Sequence, residues 1–318
     1  MPIGKIAVFD EGEYDGTIEY DAFAEGIKLS SANRELKYTF DIDRKPEKVY
    51  IIINIERRKG LEPKWRLWLN DFSLTKEFRP NIEIDSGNSI ISSIIYDITP
   101  VVREGTNVFS IVYKGLENIT VDNISHIIFY PVKEFKTKYK LSSGVLLLRP
   151  KENVIFDCFG ECYIIAKNPS KDGKIKIGTN EIYGENGVID LKIEKEGAVG
   201  IFYNAPENSK TYGRVYSLFS FKYKIPNINL DILAILKDGY IEVKISNLSE
   251  IELDKILVNV FVNSLSINYK SFNNVQVGKT IEYKVPLTNS KGNISLRVVG
   301  VKAGYRKIFD KNISNSNM

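Results

Sequence analysis

The sequence predicts an all-β protein: two or three antiparallel β-sandwich modules, jelly-roll or immunoglobulin-like, arranged in series. Three observations carry this. Apolar and polar residues alternate with a period of two along most of the chain, which puts one set of side chains on each face of a sheet. Turn residues recur at short intervals between these runs. No apolar three-four repeat extends beyond about three helical turns. A length of 318 residues suits roughly two domains, or three small ones.

Taken in chain order, residues 10–16 gather Asp10, Glu11, Glu13 and Asp15 with Gly12 and Gly16. They read as a solvated acidic loop, whose four carboxylates are weak candidates for a hard cation because their spacing is not that of an EF-hand. Residues 20–27 read as a turn or two of helix. Residues 48–55 form a β-branched and aromatic strand, and Lys59-Gly60 turns the chain back. The basic cluster Arg57, Arg58, Lys59, Lys64 and Arg66 reads as a solvated hairpin loop and its flanks.

In the next strand Trp65, Leu67 and Leu69 share one face, which reads as core, and Arg66, Trp68 and Asn70 share the other. Left open, that second face suits a glycan, with a ring to stack on and two polar groups to hydrogen-bond. Covered by a second sheet, Trp68 is a core residue. Ser86-Gly87-Asn88 and Glu104-Gly105 punctuate the strands that follow. Asp97 is expected to accept N–H bonds from the turn after it, with Gly105 supplying a positive φ before the strand at 108–113. Lys136, Lys138 and Lys140 line one face of a strand, as a guard against edge-to-edge pairing or as a meeting point for an acidic partner.

Residues 154–165 hold Cys158 and Cys162 on two apolar segments joined through Gly160. That is hairpin spacing, compatible with a disulfide or with two reduced structural thiols. Strands at 174–177 and 240–245, separated by Asp172-Gly173, Gly184-Glu185-Asn186-Gly187 and Asp238-Gly239, continue the pattern. Proline is favoured at strand ends, and Pro150 and Pro226 suggest modules at 1–150, 151–226 and 227–318. The middle module is small enough to pack as part of its neighbour.

Two segments resemble known families. The strand at 37–42, the apolar run 49–55, Trp65-Arg66-Leu67-Trp68-Leu69-Asn70 and Tyr96-Asp97-Ile98-Thr99-Pro100-Val101-Val102-Arg103-Glu104-Gly105-Thr106-Asn107-Val108 together look like the galactose-binding-like jelly roll that precedes the barrel of family 2 glycoside hydrolases. The resemblance covers about residues 35–115 and departs where Asp71, not Gly, follows Asn70. It implies a sandwich shared by enzymes and non-enzymes. Residues 231–308 resemble immunoglobulin-like adhesion-type domains through Ser246-Asn247, the strand at 256–262 and Val277-Gly278-Lys279-Thr280. Such domains imply spacing or interaction, with no catalytic residue.

The chemistry points the same way. There is one histidine, His126, in an apolar strand, and no Gly-x-Ser-x-Gly elbow. One histidine and two cysteines make a conventional zinc site unsuited to this chain. Gly278-Lys279-Thr280 lacks the first glycine of a P-loop, since position 273 is Asn. A net charge of +4, spread along the chain, does not mark a nucleic-acid binder. No apolar run reaches the roughly 18 residues of a membrane span. The first residues turn acidic before a signal-peptide core could form, so the literal reading is a soluble, cytoplasmic protein, with a virion or cell-surface assembly as the alternative. Few Gln, Cys and Met beside many Lys and Glu suggest a hot-living source, and abundant Asn points the other way. Five Asn-x-Ser/Thr sequons, at Asn118, Asn123, Asn247, Asn293 and Asn312, are within what this composition produces by chance. The expectation is a non-catalytic binding or structural protein without a cofactor, recognising a protein or glycan. A carbohydrate-active enzyme, or an accessory subunit of one, is the alternative, because paired carboxylates have no local signature.

Overall fold

The computed structural model describes residues 2–313 apart from 134, 185–186, 194–195, 225–226, 238, 264, 288–292 and 303–304. The boundary expected at Ile225-Pro226 lies outside the described residues, as do parts of the turns at 184–187 and 238–239 and Ser314 of the last sequon. The chain divides into two compact units, residues 1–224 and 225–318.

The first unit begins with β1 (Ile3–Tyr14), β2 (Gly16–Phe23), β3 (Ile27–Leu29), β4 (Glu35–Ile42), β5 (Lys48–Arg58) and β6 (Trp65–Leu69). It continues with β7 (Phe72–Thr75), β8 (Ile82–Asp85), β9 (Ser89–Asp97), β10 (Gly105–Tyr113), β11 (Ile119–Pro131) and β12 (Lys136–Leu148). It closes with β13 (Asn153–Cys158), β14 (Glu161–Asn168), β15 (Lys174–Ile177), β16 (Asn180–Ile182), β17 (Gly187–Ile193), β18 (Gly197–Asn204) and β19 (Gly213–Lys224). The only helical element among the described residues is a 3-10 turn, Thr99–Val101. All strand pairs are antiparallel, so the all-β expectation holds.

These strands form four sheets. Sheet I is ordered β4-β10-β6-β7, and sheet II β2-β11-β5-β9-β8 with β3 on β11. Sheet III is ordered β1-β12-β19-β14-β17, and sheet IV β13-β18-β15-β16. Their apolar clusters reveal the stacking. Leu36, Phe40, Ile51, Ile53, Leu67 and Phe109 fill the space between sheets I and II. Tyr50, Ile52, Phe129, Tyr139, Phe219 and Phe221 join sheets II and III, and Ile91, Val145, Leu147 and Tyr216 extend that layer. Leu148, Ile164, Ala166, Ile175, Ile201 and Tyr203 fill the space between sheets III and IV. The unit is thus four sheets deep. Sheet II lies between two others, and sheet III is covered on its outer side only where sheet IV reaches it; β5 is buried on both faces and reads as an unbroken apolar run for that reason.

The second unit contains β20 (Leu230–Lys237), β21 (Tyr240–Asn247), β22 (Leu253–Val262), β23 (Leu265–Val275), β24 (Thr280–Pro286), β25 (Ile294–Lys302) and β26 (Tyr305–Ile313). Sheets β20-β21-β24 and β23-β22-β25-β26 close on a core of Ile241, Val243, Ile256, Val258, Leu296 and Val298.

Three local expectations are corrected. Residues 20–27 are not helical: β2 pairs with β11, and Ile18 and Tyr20 pack between sheets II and III. Residues 10–14 are not a loop but the end of β1, whose register shifts between Val8 and Asp10. The lysine row is not an edge guard, because β12 lies inside sheet III between β1 and β19. Near Pro150 the chain passes from β12 of sheet III into β13 of sheet IV. From there β14 and β19 return to sheet III, β19 beside β12 and β14 beside β19. Among the described residues no helix is long and apolar enough to cross a membrane.

Candidate binding face

Sheet I is an outer layer, and the period-two pattern of β6 decides what it shows. Trp65, Leu67 and Leu69 are buried against sheet II, while Arg66 and Trp68 are half-buried on the far face. Trp65 donates its indole N–H to the Glu77 carbonyl at 3.1 Å and meets Phe78 edge-on at 5.0 Å. On the outer face Trp68 lies opposite Ser110 on one side and Ser73 on the other. Arg66 lies opposite Val112, and Lys37 opposite Ser110. Small hydroxyl residues therefore flank Trp68 on both neighbouring strands, and Arg66 shares its face of β6.

Asn70 does not share this open face. It sits just past β6 with φ +53°, and its amide bridges to β10. Its Nδ2–H donates to Asn107 Oδ1 at 3.1 Å, and its Oδ1 accepts the Val108 N–H at 2.9 Å. Both ends of the side chain are occupied by the fold. Asn107, fully buried, accepts the Arg103 N–H at 3.0 Å and donates to the Arg103 and Gly105 carbonyls at 2.7 and 3.0 Å. Asp97 accepts the Thr99 N–H at 3.0 Å, and Thr99 Oγ1 in turn accepts the Val49 N–H at 2.8 Å. Gly105 has φ +85°, a conformation that costs a side-chain-bearing residue energy. Every polar residue of the Asp97–Asn107 segment named here thus holds backbone.

The acidic residues at the end of β1, and Asp15 just after it, have different partners. Asp10 points between sheets II and III, where it accepts from Lys48 and Tyr50, both at 2.9 Å, and from Tyr139 at 3.0 Å. Burial works to raise its carboxyl, and the Lys48 ammonium with the two phenols more than offsets this, holding it below the usual carboxylate range. Glu11 pairs with Lys140 at 3.3 Å and Asp15 with Lys136 at 3.7 Å. Among the described residues no group of three or more His, Cys, Asp or Glu is placed to hold a metal ion. Cys158 and Cys162 are joined by a disulfide across the β13–β14 turn, with Cα atoms 5.7 Å apart.

His126 is sealed between sheets I and II. Its Nδ1 lies 2.5 Å from Tyr38 Oη, Phe40 stacks on its ring at 4.8 Å, and its Nε2 is buried without a hydrogen-bond partner. Burial lowers its pKa to about 4, against a smaller opposing pull from Asp21. The ring is buried, and burial favours its uncharged form.

One cluster of charge has no local signature. Between sheets II and III, Arg214 grips Glu56 with two bonds of 2.6 and 2.7 Å. Lys167 bridges Glu56 at 3.0 Å and the fully buried Asp122 at 2.7 Å, and Tyr216 donates to Asp122. Burial alone would raise Glu56, and Arg214 and Lys167 outweigh it, so the carboxyl lies well below its usual range. A carboxylate held so firmly ionised cannot act as a general acid. The partners lie 45, 111 and 158 residues apart in the chain. The sole trace in the sequence is a charged residue inside an apolar strand, as in Val121-Asp122-Asn123-Ile124.

No family model matches the chain, and no curated protein matches it. Solved structures similar to it include a β-D-glucuronidase from Dictyoglomus thermophilum, with 10% identity and a TM-score of 0.22 over 94% of this chain and 44% of that one. A Ruminococcus gnavus β-glucuronidase has 10% identity and a TM-score of 0.23 over 55% and 34%. The glycoside hydrolase domain of Spr0440, Endo-D, from Streptococcus pneumoniae R6 has 13% identity and a TM-score of 0.21 over 57% and 32%. The chain spans less than half the length of each. At these TM-scores the likeness transfers neither fold detail nor activity.

Two of the sequons are structural. Asn123 and Asn247 are fully buried, and each hydrogen-bonds within its unit, Asn123 to Asn54 at 2.8 Å and Asn247 to the Val275 carbonyl at 2.9 Å.

Proposed function

We infer that this is a non-catalytic binding protein, in which a multilayered β scaffold presents an outer sheet face to a glycan or protein. The observation that carries this reading is Trp68, half-buried beside Arg66 on the open side of sheet I and flanked by Ser110 and Ser73. An indole with one accessible face stacks on the C–H side of a sugar ring, while an adjacent guanidinium bonds to hydroxyl pairs. In this reading sheets I and II are a galactose-binding-like jelly roll, which the bonding of the Asp97–Asn107 segment supports, and the second unit is an immunoglobulin-like spacer. Trp68→Ala tests it on a glycan array with a parallel protein pull-down. The expected result is a cooperative unfolding transition close to that of the wild type and loss of the uncharged glycans or the protein that the wild type retains. A large drop in thermal stability would make the ring a core residue instead.

The enzymatic alternative has one observation in its favour. Asp190 on β17 is pushed up to about 6 by burial, while Tyr20 donates to it at 3.0 Å. A raised carboxyl is what a general acid in glycoside hydrolysis requires. Hydrolysis of aryl glycosides by the wild type, abolished in Asp190→Asn, would replace the binding reading with this one.

A further inference from the structure

The lysine row on β12 continues across the sheet. On the side of sheet III that sheet IV covers, β12 and β14 carry Leu146, Leu148, Ile164 and Ala166. Farther along the strands the same side is uncovered. Register places Lys136 directly opposite Lys224 and Lys138 directly opposite Lys222. Directly opposed residues on adjacent strands have Cβ atoms about 5 Å apart, and like charges there are destabilising. Successive lysines along one strand are about 7 Å apart. The result is a rectangle of four ammonium-bearing side chains at an interior position of a sheet, where edge protection cannot explain them.

Internal neutralisation is incomplete. Lys222 pairs with Glu196 at 2.8 Å and Lys136 with Asp15 at 3.7 Å, both exposed. Lys138 and Lys224 have no ion pair among the described residues, and the Lys138 ammonium rests 5.2 Å from the Phe159 ring centroid. The rectangle lies in a hollow of about 410 Å³ lined by Glu13, Lys136, Lys138, Lys222, Tyr223 and Lys224. Glu13 and Lys138 also line a second hollow of about 410 Å³, which adds Lys140, Asp157 and Phe159. The two form one groove. The disulfide braces its Phe159 rim, and Gly160 allows that turn to pass close to β19, where a Cβ would meet the Phe221 carbonyl at 2.3 Å.

We propose that this groove binds an anionic oligosaccharide, with its carboxylate or sulfate groups on Lys138, Lys222 and Lys224. Glu13 and Asp157 decide between polyanions. They repel a backbone charged at every unit, as in nucleic acid, and they accept hydrogen bonds from the hydroxyls of a sugar chain whose charges are interspersed. Phe159 offers an apolar edge to the sugar C–H face. The site is separate from the Trp68 face.

The test is calorimetric titration of the full chain with oligogalacturonate, dextran sulfate, neutral dextran and single-stranded DNA of matched charge, at low and physiological salt. Binding of one or both anionic glycans, weakening as salt rises, is expected, with the tighter of the two identifying the anion. The double variant Lys138→Gln/Lys224→Gln is expected to bind at least tenfold more weakly while melting at the wild-type temperature or above, because a repulsion has been removed. Lys138→Arg/Lys224→Arg is expected to bind as the wild type does. Failure of both anionic glycans to bind, unchanged affinity in the Gln variant, or equal or tighter binding of DNA would overturn the proposal.

Discussion

His126 shows what burial does to a titratable ring that has no countercharge in contact. Its pKa in the folded chain is about 4, against about 6.5 in an unfolded chain. Between these values the unfolded state takes up a proton that the folded state refuses. Stability contributed by the neutral ring is therefore complete above pH 6.5 and is lost as pH falls toward 4. The loss amounts to about 3 kcal/mol once the pH is below both values. Asp190, raised to about 6, acts in the opposite sense between its own unfolded value and pH 6, so the wild-type curve alone is a sum. The difference between wild type and His126→Phe isolates the ring. Denaturant unfolding from pH 7 to 4.5 should show a steeper loss in the wild type, and parallel curves would place the His126 proton elsewhere. The apolar neighbours of this histidine pointed to a packed or surface residue of a strand, and it is packed. They could not identify Tyr38 and Phe40, which lie on a different strand and sheet.

At the scale of the element, the Asp97–Asn107 segment is where sequence and structure agree most closely. Proline within the 3-10 turn, glycine at positive φ and side chains that bond to nearby backbone are local devices, and local devices are written in consecutive residues. Their weights differ. Asn107 is fully buried and its loss would leave several backbone groups without partners, so Asn107→Ala is expected to cost about 3 kcal/mol. Asp97 is exposed, and Asp97→Ala is expected to cost about 1 kcal/mol. Chemical denaturation of both variants checks the ranking, and equal losses would show that burial is not what separates them. Strand β6 gives the complementary lesson. Alternation correctly assigned Trp65 inward and Trp68 outward, but it also placed Asn70 on the outer face. The left-handed backbone at Asn70 breaks the alternation at that residue, and the amide turns to β10.

For the whole first unit, the decisive feature is the contact between sheets II and III, with an ionic cluster set among aromatic rings. Removing one member of a buried ionic group strands its partners, at a cost of about 3–5 kcal/mol. Asp122→Ala is therefore expected to destabilise the unit by that amount, since Lys167 and Tyr216 both lose it. A change below about 1 kcal/mol by denaturant unfolding would mean that water reaches the cluster and screens it. The amino-acid sequence by itself determined that the chain is all-β, where many strands and turns fall, and which face of an alternating strand such as β6 is apolar, because a period of two and the chemistry of turns are properties of neighbouring residues. Only the tertiary structure decided that four sheets stack in one unit, that β12 is an interior strand whose lysines oppose those of β19, and that Glu56 meets Arg214. Those outcomes depend on which strands pair and which sheets face one another, and the residues concerned are far apart in the chain, where no local pattern links them.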